Sequence, residues 1–373
     1  MPSHLISDLN HYIASEALLP EPIVIELPDF SIEVRSNSSL LLKTLKAYFR
    51  PVLFSKFPSP PSLIISAYES KRFIDRGIQW QDWKREIGKS GRKDSFIDVQ
   101  ATNETQRLIY KVKTGVLFWQ KQNTPIAIGP VEQNPNQVIN FILTQYLNEN
   151  LRQGWLLGHA AGLEIQQKGI AIAGLSGGGK STLMLQLLEY GEHFISNDRL
   201  LLNAEKTARP GHFWMRGIPK QPRINPGTIV HNERLHTLIN PERRQELLAL
   251  PTEILRQLEE KYDADVNALY HETCYKPETE LNAVVILNWQ PDSQHLTQLN
   301  QTTLNRSPEL LEAILKSPGP FYSDSNQVFL ANQTQPDSAR YLSILGDLPC
   351  FELTGKMDFK KACDLVRQAI QRL

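Results

Sequence analysis

Gly174-Leu175-Ser176-Gly177-Gly178-Gly179-Lys180-Ser181-Thr182 places two glycines, a lysine and a hydroxyl at the spacing G-x-x-x-x-G-K-[ST]. Glycines let the backbone curl until successive N–H groups converge on one anion, and a helix N-terminus behind them adds partial positive charge. In such a loop Lys180 reaches the β- and γ-phosphates and Ser181 ligates Mg²⁺. The pattern therefore predicts a nucleoside-triphosphate site with ATP and Mg²⁺ as cofactors. Its expected lining is Gly174, Ser176, Gly177, Gly178, Gly179, Lys180, Ser181 and Thr182. Two more chemically able side chains flank it. His159 stands fifteen residues before Gly174, and Asp198 stands eighteen after Lys180.

A phosphate loop works only between a buried strand and a helix. The apolar run Ile170-Ala171-Ile172-Ala173 reads as that strand. The segment after Lys180 reads as the helix, burying Leu183, Met184, Leu187 and Leu188 and stopped by Gly191. A further short strand, His193-Phe194-Ile195, delivers Ser196-Asn197-Asp198 at its carboxyl end. Ligands of open α/β sheets gather at such ends, so Asp198 is predicted to face the phosphates and to hold Mg²⁺ beside Ser181.

The string Gly-Lys-Ser-Thr-Leu is shared with transport ATPases, but Leu175-Ser176-Gly177-Gly178 lies inside the loop and cannot double as their separate signature. No later apolar strand ends in Asp-Glu. The order Gly158-His159-Ala160, phosphate loop, helix, Tyr190-Gly191-Glu192-His193, strand, Asn197-Asp198 instead resembles the HPr serine kinase/phosphorylase family. The variant Ser196-Asn197-Asp198-Arg199-Leu200 looks most like its HprK-related kinase B subgroup. That resemblance covers about residues 155–230. It implies a kinase transferring phosphate from ATP to a hydroxyl, on a protein serine or a small molecule. By the same resemblance His159 is an active-site histidine near the phosphates. Met215-Arg216-Gly217-Ile218-Pro219 resembles the family's downstream Arg-Gly signature, making Arg216 a candidate clamp on the transferring phosphate. Trp214 stands where that signature carries glutamate. Asn197 falls where the family has the aspartate usually assigned as base, and an amide cannot take the acceptor's proton. Thr182 replaces a common glutamate. The same site therefore also fits a nucleotide-binding module or ATPase that lacks transfer because of Asn197. Members of the family are hexameric, which implies a homo-oligomer, although nothing in the sequence marks interface residues.

The remaining chain supplies scaffold. Forty basic and forty acidic side chains cancel, so no global field draws the protein to nucleic acid or an anionic membrane. There is no apolar run of membrane-spanning length and no secretory leader pattern, and the three cysteines form no metal or redox motif, which together predict a cytoplasmic protein. Short apolar runs at Ile23–Leu27, 31–34, 62–66, 96–99, 107–113, 116–120 and 125–128 read as strands, with a helix over 40–49 and a charged loop over 82–94. Residues 1–130 are thus predicted to be a β-rich α+β domain of antiparallel hairpins. A helix over 136–152 opens the second domain, 131–373, and should pack on the nucleotide-binding sheet. Helices over 251–262 (Ile254 and Leu258 inward), 307–316 and 359–373, and strands over 283–289 and 350–353, complete it. The fold class is α/β: a phosphate-loop, HPr-kinase-like domain preceded by the β-rich one.

Overall fold

Alternation of β-branched and polar residues sets the first sheet. The structure, a computed structural model, describes residues 2–54, 60–71, 78–84, 91–101, 104–174, 178–204, 211–258, 260–290 and 292–373. It divides the chain into two compact units, 1–153 with 317–335, and 154–316 with 336–373.

In the first unit, β1 (Ile23–Leu27) and β2 (Phe30–Ser36) form a hairpin whose two-residue turn puts Asp29 at φ 60°. They join β3 (Leu63–Glu69), β4 (Gln81–Asp82), β5 (Asp94–Gln100), β6 (Thr105–Lys111), β7 (Leu117–Gln120) and β8 (Ile126–Gly129) in one sheet, ordered β1-β2-β3-β8-β7-β6-β5-β4. Antiparallel hairpins do not describe all of it: β2–β3 and β3–β8 run parallel. The helix α1 (Pro2–Ser15) had no counterpart in the sequence reading; α2 (Ser39–Tyr48) is capped by the Ser38 hydroxyl accepting from the Leu41 N–H.

The helix α3 (Pro135–Arg152) belongs to this unit, not to the second, so a boundary at 130 falls too early. Its apolar stripe packs on the first sheet, with Phe141 4.5 Å from Phe118 between ring centroids. Several of its polar side chains are buried as well and make hydrogen bonds there. Gln145 and Gln120 exchange two amide hydrogen bonds of 2.8 Å, and Asn148 Nδ2 donates to the Phe321 carbonyl. Residues 317–335 are held to this unit by Phe321 and by Arg107, which donates to the Pro320 and Leu330 carbonyls.

The second unit is built on a sheet that returns to its starting segment. Its strands are β9 (Leu156–Gly158), β10 (Ala160–Ile165), β11 (Lys168–Gly174), β12 (His193–Ser196), β13 (Leu200–Asn203), β14 (Phe213–Arg216), β17 (Glu278–Leu287), β18 (Gln298–Thr302) and β19 (Cys350–Thr354); β15 (Arg223–Ile224) and β16 (Tyr262–Asp263) pair separately. The path β12-β10-β11-β17-β14-β13-β9 ends on β9, which is joined to β10 through His159 alone. One bent strand therefore pairs with β11 and β12 through its second half and with β13 through its first. Along β11, Ile170 and Ile172 face a core with the helices α4 (Lys180–Leu188), α5 (Pro226–Val230), α6 (Pro241–Leu248), α7 (Thr252–Gln257), α8 (Val266–Leu269) and α10 (Phe359–Ile370), whereas Ala171 and Ala173 face Leu200, Met215 and α9 (Ser338–Leu345). The helix predicted over 251–262 is the shorter α7, which turns Leu255 inward and leaves Ile254 exposed, while Leu258 packs against the core as expected. Residues 307–316 contain a 3₁₀ segment, Pro308–Ala313, rather than an α-helix. The three cysteines, Cys274, Cys350 and Cys363, are buried free thiols.

Candidate functional site

Three parallel strand ends define the place. Gly174 ends β11 opposite Leu287 of β17, and Leu287 in turn lies opposite Leu353 of β19. A Cβ on Gly174 would stand 2.8 Å from that of Leu287, so the strand can leave the sheet here only as glycine. Leu175, Ser176 and Gly177, two of them predicted to line the cradle, lie outside the described residues. The chain resumes at Gly178, whose carbonyl accepts from Trp289 Nε1 at 2.8 Å. Gly179 follows at φ 88°, and a Cβ there would lie 2.5 Å from the Phe359 ring. Trp289 and Phe359 meet edge to face at 5.0 Å and together brace the loop's exit into α4. Sequence reasoning assigned neither aromatic a role. The available signal was an aromatic immediately beyond a buried strand, at the edge where ligands bind.

Lys180 opens α4 almost fully buried, and its ammonium donates to the Gly174 carbonyl at 3.1 Å. It also lies 3.0 Å from His159 Nε2. His159 is fixed by the bend between β9 and β10, where its backbone N–H donates to the Ile314 carbonyl at 2.7 Å. The same Nε2 is 3.1 Å from Asp198 Oδ1. One ring nitrogen thus faces an ammonium and a carboxylate: it accepts from Lys180 as a lone pair or donates to Asp198 as N–H, and cannot do both at once. Asp198 is carried on a turn after β12, closed by the Ser196 hydroxyl donating to the Arg199 carbonyl at 2.6 Å. Its other oxygen is 3.9 Å from Lys316 Nζ. Desolvation disfavours the Asp198 carboxylate, but the His159 hydrogen bond and the charges of Lys316, His159 and Arg199 outweigh it and hold the carboxyl well below its usual range. Lys316 was not foreseen as part of this group.

Beside that turn runs a second one. Gly217 lies so close to the end of β12 that a Cβ would fall 1.7 Å from the Ile195 carbonyl oxygen. Three residues on, the Lys220 N–H donates to the Ile218 carbonyl at 2.7 Å. Burial and the neighbouring Arg199 push the Lys220 ammonium down to about 8, against the pull of Asp198. Asn197 places its side-chain oxygen in a buried position with no hydrogen-bond partner among the described residues. Ser181 sits partly buried in the first turn of α4, and the Thr182 hydroxyl is 2.8 Å from that of Thr228.

Arg216 is placed differently from a phosphate clamp. Its side chain is 1% exposed, donates through Nε to Glu278 at 2.9 Å, and lies over the Trp155 ring at 4.5 Å. The guanidinium is committed to a buried pair across β14 and β17, which is a packing arrangement.

Among the described residues, no group of three or more His, Cys, Asp or Glu side chains is arranged to hold a metal, and no helix is long and apolar enough to cross a membrane. The chain matches no described protein family, and no curated protein matches its sequence. Among solved structures it is similar to the HPr(Ser) kinase/phosphatase from Coxiella burnetii, at a TM-score of 0.29 and 12% sequence identity, over 58% of this chain and 97% of that one. At that TM-score the likeness carries no argument about fold or activity. What the structure itself defines is a mixed α/β protein with several sheets and a cationic, lysine-histidine-aspartate site at strand carboxyl ends.

Proposed function

We propose that this chain is an ATP- and Mg²⁺-dependent kinase that transfers phosphate to a hydroxyl of a protein or small molecule. The observation that carries the proposal is the meeting of Lys180, His159 and Asp198 at the first residue of α4. The residues present fit the nucleotide and its metal. Gly179 lets the start of α4 lie against the Phe359 ring, where a Cβ would clash, and the helix N-terminus favours an anion. Ser181 and Asp198 offer the hydroxyl and carboxylate oxygens that Mg²⁺ takes, and one carboxylate suffices because phosphates and water complete its shell. When bound, Mg²⁺ neutralises charge on the phosphates.

The protein's part is positioning and proton handling. Lys180 exchanges the Gly174 carbonyl for phosphate oxygens. His159, released by Lys180, donates through Nε2 to Asp198 and fixes its direction. Asn197 orients by hydrogen bonding only, so acceptance of the acceptor's proton falls to Asp198 or His159. Arg216 holds two strands together behind the site.

A second reading, a nucleotide-binding module without transfer, is favoured by Asn197 itself. Purified protein incubated with labelled Mg-ATP and candidate hydroxyl acceptors separates the two. Acceptor labelling that disappears in Lys180→Ala supports the kinase. Saturable Mg-ATP binding with no transfer to any candidate supports the module, and no binding of Mg-ATP overturns both.

A further inference from the structure

A buried amide pair forms part of the wall of a cleft in the first unit. The cleft has a volume of about 160 Å³, and every described residue that lines it belongs to that unit. Gln120, at the end of β7, and Gln145, on α3, both line it while being only 3% and 4% exposed. They bond to each other through one N–H and one carbonyl lone pair apiece. An amide carries two N–H groups and two lone pairs, so each side chain retains one donor and one acceptor. Further along α3, Glu149 and Arg152 line the same cleft. The Arg152 guanidinium is held there by Glu149 and by the Ser323 carbonyl and hydroxyl. A purely structural contact between sheet and helix would lose nothing by being apolar on both sides, since a buried polar pair only offsets its own desolvation. Here the polar side chains are gathered at a cavity, where a ligand can use what they leave over.

We propose that this cleft binds a small neutral polyhydroxyl compound, a sugar or cyclic polyol, with the Gln120–Gln145 pair as its polar anchor. A hydroxyl both donates and accepts, which matches the spare N–H and lone pair that each amide holds. The charged side chains of the lining disfavour simple ions. Lys121 and Arg152 stand against Glu104, Glu149 and Asp324, so an anion meets three carboxylates and a cation meets two positive groups. Phe30 and Phe329 also line the cleft and offer apolar surface to ring C–H groups. The volume has room for about ten to fifteen waters, comparable with the roughly one dozen heavy atoms of a hexose. Lys180, His159 and Asp198 belong to the second unit, so this site does not rest on the kinase reading.

The full chain is titrated calorimetrically with D-glucose, D-galactose, N-acetyl-D-glucosamine and myo-inositol, and with serine and glutamate as charged comparisons. At least one of the neutral compounds should bind saturably, and more tightly than either amino acid. Gln120→Leu combined with Gln145→Leu removes both amides together, so neither leaves the other unsatisfied, and the urea midpoint should hold or rise. Affinity for the bound compound should fall by about tenfold or more in this double variant. If the double variant proves less stable than the native chain, Asn123→Trp decides in its place. It adds bulk at an exposed position of the lining and should weaken binding by about the same factor with the urea midpoint unmoved. No binding of any neutral compound, tighter binding of an amino acid, or native affinity in the deciding variant would each overturn the proposal.

Discussion

Replacing Lys220 by methionine should stabilise the protein at neutral pH and do so less as pH rises. The ammonium titrates near 8 in the folded chain against 10.5 for an ordinary lysine. The folded value is the lower one, so between pH 8 and 10.5 the unfolded chain holds a proton that the folded chain has released. Stability from this group therefore rises with pH across that window and is at its lowest below it. At about 1.4 kcal/mol per pKa unit the full penalty is about 3 kcal/mol, and solvent screening of a half-buried side chain reduces it to about 1–2 kcal/mol. Lys220→Met removes the charge while keeping an unbranched stem. Urea unfolding followed by tryptophan fluorescence should then show the variant more stable by about 1–2 kcal/mol at pH 7, with the gap shrinking by about half or more towards pH 9.5. Any packing or hydrogen-bond change gives a constant offset, which cancels in the comparison between pH values. A gap that does not change between the two pH values would refute the charge-crowding argument.

Three further outcomes follow from the same geometry. Gly179→Ala places a methyl against the Phe359 ring at a left-handed φ, so Mg-ATP affinity should fall by about tenfold or more in equilibrium dialysis, and the double variant with Phe359→Ala should recover only the part due to the clash. Arg216→Met removes a buried guanidinium from its pair with Glu278 across β14 and β17; chemical denaturation should register a loss of about 3 kcal/mol, while transfer rate per folded molecule holds, and a rate collapse in stable protein would restore Arg216 to the reacting centre. Asn197→Asp puts a carboxylate where a buried oxygen already lacks a donor. If base strength limits transfer, the rate in a labelling assay should rise with pH and exceed that of the native chain; a rate unchanged or lower at every pH would count against that role.

The local parts of the site were legible because each is written in a few adjacent residues. Gly174, Gly179 and Lys180 follow a fixed spacing, Ile170–Ala173 is a short apolar run, and the strand at 193–196 is bounded by Gly191 and a polar turn. What was not legible depends on pairing between distant segments. Lys316 reaches Asp198 because Leu315 forms a bridge with Gly158, a contact of high sequence separation that no periodicity announces. Arg216 shows the converse. Its motif resemblance said where an arginine should be, but only the register of β14 on β17 reveals Glu278 opposite it. The stripe along α3 foretold burial correctly and its partner incorrectly, since an apolar face states that it must be covered without stating by which sheet.

The return of residues 317–335 to the first unit sets an order of events on the ribosome. Phe321 packs on Phe118 and Phe141 with ring centroids 5.6 Å away, and Arg107 is bonded to the Pro320 and Leu330 carbonyls. Those partners are synthesised 180 to 223 residues after the helix and strands they complete. The N-terminal unit therefore cannot close during translation as a simple N-to-C succession of domains would have it. It must wait, with part of its aromatic core open to water, until most of the second unit has emerged. A fragment ending before residue 317 inherits the same defect permanently, and a fragment beginning at 154 carries the missing aromatic, Phe321, with nothing of its own to bury it.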